Sequence, residues 1–158
     1  MVEQGYSLPV KQALFIGHEI YRGAKPKALH AWHGPDYVAA LQRIEGAQHT
    51  QSGDRERFGI GTVTNPVFPE IFRRPATAAG GSILAGEMLA QGGIVYNPAG
   101  GTHHGMPDRA NGFCYLNDPV LAMLSLRHHG VRRIAFVDID AHHCDGVAAG
   151  FAGDAECL

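Results

Sequence analysis

Asp138, Asp140, His142, His143, Cys144 and Asp145 crowd ionisable side chains into the segment 138–145, directly after the apolar run Ile134-Ala135-Phe136-Val137. Extended backbone alternates faces, so Asp138, Asp140 and His142 project to one side. Two carboxylates and an imidazole converging there would repel and desolvate one another unless a cation sat among them. Mixed nitrogen and oxygen ligation of this kind suits zinc with an open coordination position. The competing account is a strand end whose acids cap backbone amides and whose histidines lie in solvent. So many ionisable groups behind a core strand pack poorly and coordinate well, which favours the metal.

A second group, Pro98-Ala99-Gly100-Gly101-Thr102-His103-His104-Gly105, follows another short apolar run, Ile94-Val95-Tyr96. Its glycines let backbone approach a ligand closely, and adjacent imidazoles act as base and acid when carboxylates tune them. Asp138 and Asp145 are the available tuners. Alone, a histidine pair in a glycine-rich loop reads as surface; the first group is what gives it chemical meaning.

The elements that must position these residues alternate between helix and strand, which argues an α/β fold. Leu14 to Ile16 is a short apolar run read as a strand. Gly34-Pro35-Asp36 opens an amphipathic helix with Tyr37, Leu41 and Ile44 on one face and Gly46 at its end. Residues 47–61 show no hydrophobic period and are expected to form an exposed loop. A helix over Thr77 to Gln91 stops at Gly92-Gly93, and a strand follows at Ile94 to Tyr96. Asp118 is expected to cap a helix that carries Pro119 in its first turn and ends at Gly130. Ile134 to Val137 has the unbroken apolar character of a strand buried on both faces of a parallel sheet.

With 158 residues and a net charge of -2, the chain is long enough for one core and lacks a global basic field for nucleic acid or an anionic membrane. Its 3 cysteines form no C-x-x-C pair and cannot all be paired within the chain, so a cytoplasmic setting is expected. Near the N-terminus the longest apolar run, Ala13 to Ile16, is too short for a secretory or membrane-spanning segment.

Taken in order, Phe58-Gly59-Ile60-Gly61, Asn65-Pro66-Val67-Phe68-Pro69, Ala79-Gly80-Gly81-Ser82, Ala99 to His104, Asn111 to Asp118 and Val137 to Val147 resemble the histone deacetylase superfamily. Phe15 to Gly23 looks like its bacterial acetoin-utilisation branch. The resemblance implies a three-layer arginase/deacetylase-like α/β fold with a parallel sheet. It also implies a zinc-dependent deacetylase acting on acetyl-lysine or a related N-acetylated amine. Asp140 and His142 would ligate zinc, and His103 and His104 would be the catalytic pair, bonded to Asp138 and Asp145. Gly112 and Phe113 would line the acyl-lysine tunnel, where core packing is the other account of Phe113. A structural potassium ion would be held partly through Asp138, Asp140 and His142.

The family also needs a third zinc ligand, an aspartate, and an oxyanion-donating tyrosine, both normally well downstream of Asp140. Residues 1–158 are therefore expected to be the N-terminal part of one such domain, truncated, with an internal deletion near residues 23–24 and a complementing chain or oligomer as partner. Thr64 stands in place of a rim aspartate, and Cys144 in place of a glycine. An inactive fragment or acyl-lysine binding module is the first alternative. The second is a binuclear ureohydrolase of the arginase type, but its D-A-H-x-D pattern would need the aspartate one position before Asp145.

Overall fold

Pro35 opens a helix because its fixed φ suits a first turn whose amide needs no partner. The computed structural model describes residues 24–157 and, as backbone alone, residues 13–15. Its elements in chain order are β1 (Ala13–Phe15), α1 (Pro26–Leu29), α2 (Pro35–Ala47), α3 (Asp54–Phe58), α4 (Arg73–Leu89), β2 (Ile94–Tyr96), α5 (Asp118–His128) and α6 (Asp145–Phe151). The Ile16 to Gly23 stretch, with its acetoin-utilisation likeness, lies outside the described residues.

Helix α2 buries Tyr37, Val38, Leu41 and Ile44 at helical spacing, and all four are almost fully covered. Each such side chain contributes about 1.5–3 kcal/mol. The helix runs through Gly46 and ends where Gln48 turns left-handed, its N–H bonding Ile44 O at 2.7 Å. The stretch expected to be an exposed loop instead contains α3. Arg43 grips Asp54 through two hydrogen bonds of 2.7 and 3.1 Å, and Phe58 and Ile60 enter the main core. Two core anchors, a buried acid and its arginine give α3 its place without any helical period.

Helix α4 begins at Arg73, four positions before the expected start, and packs against α5 at Ser82, which donates to Asp118, and at Gly86, where an added Cβ would lie 2.6 Å from Ala122 O. Ser125 of α5 donates to Ile83 O across that contact at 2.8 Å. Behind α4, β1 and β2 pair in parallel, with Leu14 opposite Val95. Trp32 lies between the main core and a smaller cluster built on Val120, Met123 and Val147. Its indole meets the buried His33 ring edge-on, with centroids 6.5 Å apart.

The expected strand at Ile134 to Val137 does not form. Ile134 makes a single parallel bridge to Cys157, and Val137 is 81% exposed rather than buried on both faces. A strand of that kind needs a hydrogen-bonding neighbour along each edge and an apolar layer over each face. Among the described residues the run has one bridge and one partial cover.

Candidate active site

The cap of α5 determines where the glycine-rich loop lies. Asn117, not Asp118, caps the helix: its Oδ1 accepts the Val120 N–H at 3.0 Å. Its Nδ2 donates to His103 O and Gly105 O at 3.1 and 2.9 Å. Asp118, displaced by one position, turns into the loop and accepts from the Gly101 and Thr102 amides, Thr102 Oγ1 and Ser82 Oγ. Asn97 of the same loop bonds Ser82 Oγ and Ala78 O on α4. The loop carrying His103 and His104 is thus tied to α4 and α5 at several points.

From the other side, His33 donates through Nδ1 to the carbonyls of Met106 and Pro107 at 3.1 and 3.3 Å. Its Nε2 accepts the Asn117 N–H at 3.0 Å, which defines a neutral ring with the proton on Nδ1. Burial pushes its pKa down to about 4, against the opposing pull of the Pro107 and Met106 carbonyls. Helix α6 closes against the loop at Gly146, where an added Cβ would lie 2.5 Å from Gly105 O and 2.6 Å from His103 O. Only glycine allows that approach.

Both histidines use the same ring nitrogen toward a carboxylate. His103 Nδ1 lies 2.5 Å from Asp138 Oδ2, and His104 Nδ1 lies 2.6 Å from Asp145 Oδ1. Their ring centroids are 4.2 Å apart. The His103 bond and then the Asp140 N–H hold the Asp138 carboxyl below its ordinary range. At Asp145, partial burial pulls the carboxyl upward most strongly of any one influence. The bonds from His104 and from Asn111 Nδ2, the latter at 2.7 Å, together outweigh it and leave the pKa lowered. An ionised acceptor of this kind leaves the far nitrogen, Nε2, as the exchangeable position of each ring.

Asp140 and His142 stand next to this pair. Asp140 Oδ1 lies 2.8 Å from His142 Nδ1 and 3.9 Å from His103 Nε2, and the His104 and His142 ring centroids are 6.0 Å apart. The His142 N–H and then its ring hold the Asp140 carboxyl low. Both side chains are exposed, Asp140 at 52% and His142 at 76%. Two ligand atoms on tetrahedral zinc stand roughly 3.3 Å apart for bonds of ~2.0–2.1 Å. The 2.8 Å between Asp140 Oδ1 and His142 Nδ1 is about half an ångström short of that spacing, and the chemistry of the two donors, carboxylate and imidazole, is the kind zinc takes. Among the described residues no group of three His, Cys, Asp or Glu side chains could hold a metal ion. Cys144 instead sits at the start of α6. A cleft of about 480 Å³, lined by Gly101, His103, Phe136, Asp138, Ile139 and Asp140, lies alongside.

Gly112 sits beside His104, and Phe113 lines a neighbouring cleft with Ala99, Thr102 and Tyr115. A Cβ on Gly112 would lie 2.6 Å from His104 Cδ2, so the turn presses its backbone on the imidazole. Phe113 is 64% exposed, which disposes of its reading as core packing. Sequence reasoning missed the supporting residues His33, Asn111 and Asn117, and gave Asp118 the cap that Asn117 makes. The signal available was the Asn117-Asp118 pair, two candidate caps where a helix uses one.

A family description for the histone deacetylase domain matches residues 9–158. Histone deacetylase 9 of Arabidopsis thaliana is 39% identical over 150 residues, covering 92% of this chain and 34% of that protein. Histone deacetylase 1 of Homo sapiens is 36% identical over 156 residues, covering 95% and 32%. The crystal structure of a histone deacetylase homologue from Aquifex aeolicus superposes with a TM-score of 0.83 at 39% identity, over 87% of this chain and 37% of that one. A structure of such a homologue complexed with SAHA agrees equally well. The chain spans about a third of the length of the curated relatives it matches. Among the described residues no helix is long and apolar enough to cross a membrane.

Proposed function

The chain belongs to the histone deacetylase family, and from that premise we propose that it supplies the histidine pair and two zinc ligands of a deacetylase acting on acetyl-lysine or a related N-acetylated amine. The surrounding fold in this reading is the three-layer α/β arrangement of the solved homologues, with cytoplasm as the compartment. The observation that carries the reading is the double dyad: His103 and His104, neighbours in sequence, each bonded through Nδ1 to its own carboxylate at 2.5 and 2.6 Å. Surface histidines have no reason to be matched in this way.

Asp140 and His142 would hold the zinc, which when bound polarises an amide carbonyl and acidifies a water. Asp138 and Asp145 keep the Nδ1 protons in place, so each ring meets the substrate with Nε2. One imidazole takes the water proton at Nε2, and the other, as imidazolium, delivers a proton from Nε2 to the leaving amine. The two carboxylates stabilise the charge that appears on each ring in turn. Phe113, exposed and next in sequence to the Gly112 that packs on His104, offers an apolar wall to the lysine stem. For the structural potassium ion of this reading, Asp138 Oδ1 is the side-chain donor on hand; it accepts the Asp140 N–H at 2.9 Å.

The test is a chimera in which residues 1–158 replace the matching part of the Aquifex homologue, loaded with zinc and given a fluorogenic acetyl-lysine peptide. Hydrolysis abolished by His103→Ala is the expected result. A folded, zinc-loaded chimera without hydrolysis refutes the proposal.

A further inference from the structure

Asn111, Gly112, Phe113 and Cys114 form a turn closed at both ends. Asn111 N–H donates to Cys114 O at 3.0 Å, and Cys114 N–H to Asn111 O at 2.8 Å. Both central residues have positive φ, +51° at Gly112 and +64° at Phe113, the signature of a type I′ turn. Glycine adopts this backbone freely. A phenylalanine does so only against the clash of its Cβ with the neighbouring carbonyl, and such strain persists only where the surroundings impose it.

Burial does not impose it, because Phe113 is 64% exposed. Its N–H is held instead by two acceptors, Asn65 Oδ1 at 3.0 Å and Thr64 O at 3.1 Å. Asn65 is itself 5% exposed and fully engaged. Its Nδ2 donates to Gly59 O and Ala110 O at 3.0 and 3.2 Å, and its N–H to Thr62 Oγ1 at 3.0 Å. One amide therefore fastens the 59–65 loop, residue 110 and the strained turn together, next to the ring of His104.

Resting on the reading of Phe113 as a substrate wall, we infer that Asn65 is a positioning residue that holds Phe113 in left-handed backbone and so sets where the aromatic wall stands in the turn that packs on His104. Phe113 serves specificity at a cost in stability. Glycine at this position would relieve the strain but remove the wall, and alanine would remove the wall and keep the strain.

The experiment compares Phe113→Gly with Phe113→Ala by thermal melting of the 158-residue chain, with and without Asn65→Ala. At positive φ the glycine variant melts above the alanine variant, by about 2–4 °C here; in relaxed backbone the order reverses, because glycine adds freedom to the unfolded chain. The expected result is a positive gap that shrinks in the Asn65→Ala background, with hydrogen exchange at the Phe113 amide faster by roughly 10-fold or more. A reversed order in the otherwise unchanged chain overturns the strain, and that comparison needs no substitution at Asn65. A gap and an exchange rate indifferent to Asn65→Ala overturn the clamp. In the acetyl-lysine chimera, Asn65→Ala raises KM about fivefold with kcat within about twofold, as loss of uniform binding does. A parent chimera without turnover defeats the deacetylase reading alone, since melting and exchange decide the clamp without activity.

Discussion

His33 and Asn117 meet in the core with the imidazole as acceptor: Nε2 takes the backbone N–H of Asn117 at 3.0 Å, while Asn117 Nδ2 holds the carbonyls of His103 and Gly105. Protonation of Nε2 would set two donors against each other. The ring's folded pKa of about 4 lies below the ordinary 6.5. The native state thus binds fewer protons than the unfolded state between those values, and His33 contributes stability that is complete above pH 6.5 and lost as pH falls toward 4. The loss is on the order of 3 kcal/mol. Urea unfolding at pH 7 and pH 4.5 should show His33→Gln, which keeps one donor and one acceptor, losing less than the unsubstituted chain. Equal losses would reject the assignment.

Arg43→Ala should destabilise the chain by roughly 1–3 kcal/mol, because Asp54 would keep its burial and lose both guanidinium bonds. Burial is the largest single influence on Asp54 and raises its pKa, but the Arg43 bonds and the Gln51 N–H together win and leave it lowered. The carboxylate therefore stabilises the fold above its unfolded pKa, and that contribution disappears as pH drops through the lower folded value. Chemical denaturation at pH 7 and pH 3 measures both effects. An Arg43→Ala penalty undiminished at pH 3 would contradict the ion pair.

Zinc binding by the isolated 158-residue chain should be weak. Asp140 and His142 fill half of a tetrahedral shell. Half the binding free energy of a four-ligand site, about 5–8 kcal/mol, corresponds to a Kd on the order of 10⁻⁴ to 10⁻⁶ M. Titration calorimetry should show Asp140→Ala weakening it by at least about 10-fold. Tight binding indifferent to that change would place the metal elsewhere, with Cys144 the first ligand to suspect.

Tested alone, the 158-residue chain should hydrolyse acetyl-lysine at least roughly 100- to 1000-fold more slowly than the chimera, the usual effect of losing one oxyanion donor. Robust turnover by the chain alone, sensitive to His103→Ala, would show that its own residues supply that donor.

The sequence displayed the site more clearly than the scaffold. Spacing and residue type pointed to His103, His104, Asp138, Asp140, His142 and Asp145, and the structure gathers all six, because charged groups set behind an apolar run have few other uses. Helix α5 was legible from Pro119 and its apolar face. The missed features have a common cause. Asn117 and Asp118 act through bonds to backbone far away in sequence, and a side chain's partners across the chain leave no periodic trace. Helix α3 was hidden because a five-residue helix is shorter than the window in which a period shows. Ile134 to Val137 failed for the opposite reason: its apolar character is real, but strand geometry comes from neighbours and not from composition.

The chain's single tryptophan stands where the two apolar clusters of the described residues meet, edge-on to the His33 ring. Its fluorescence is accordingly one optical signal with two messages. Loosening of either cluster shifts the emission toward that of hydrated indole, and a charged imidazolium in edge contact quenches it. The titration of His33 and the parting of the clusters can be followed in one cuvette, the first as lost intensity and the second as a change of colour.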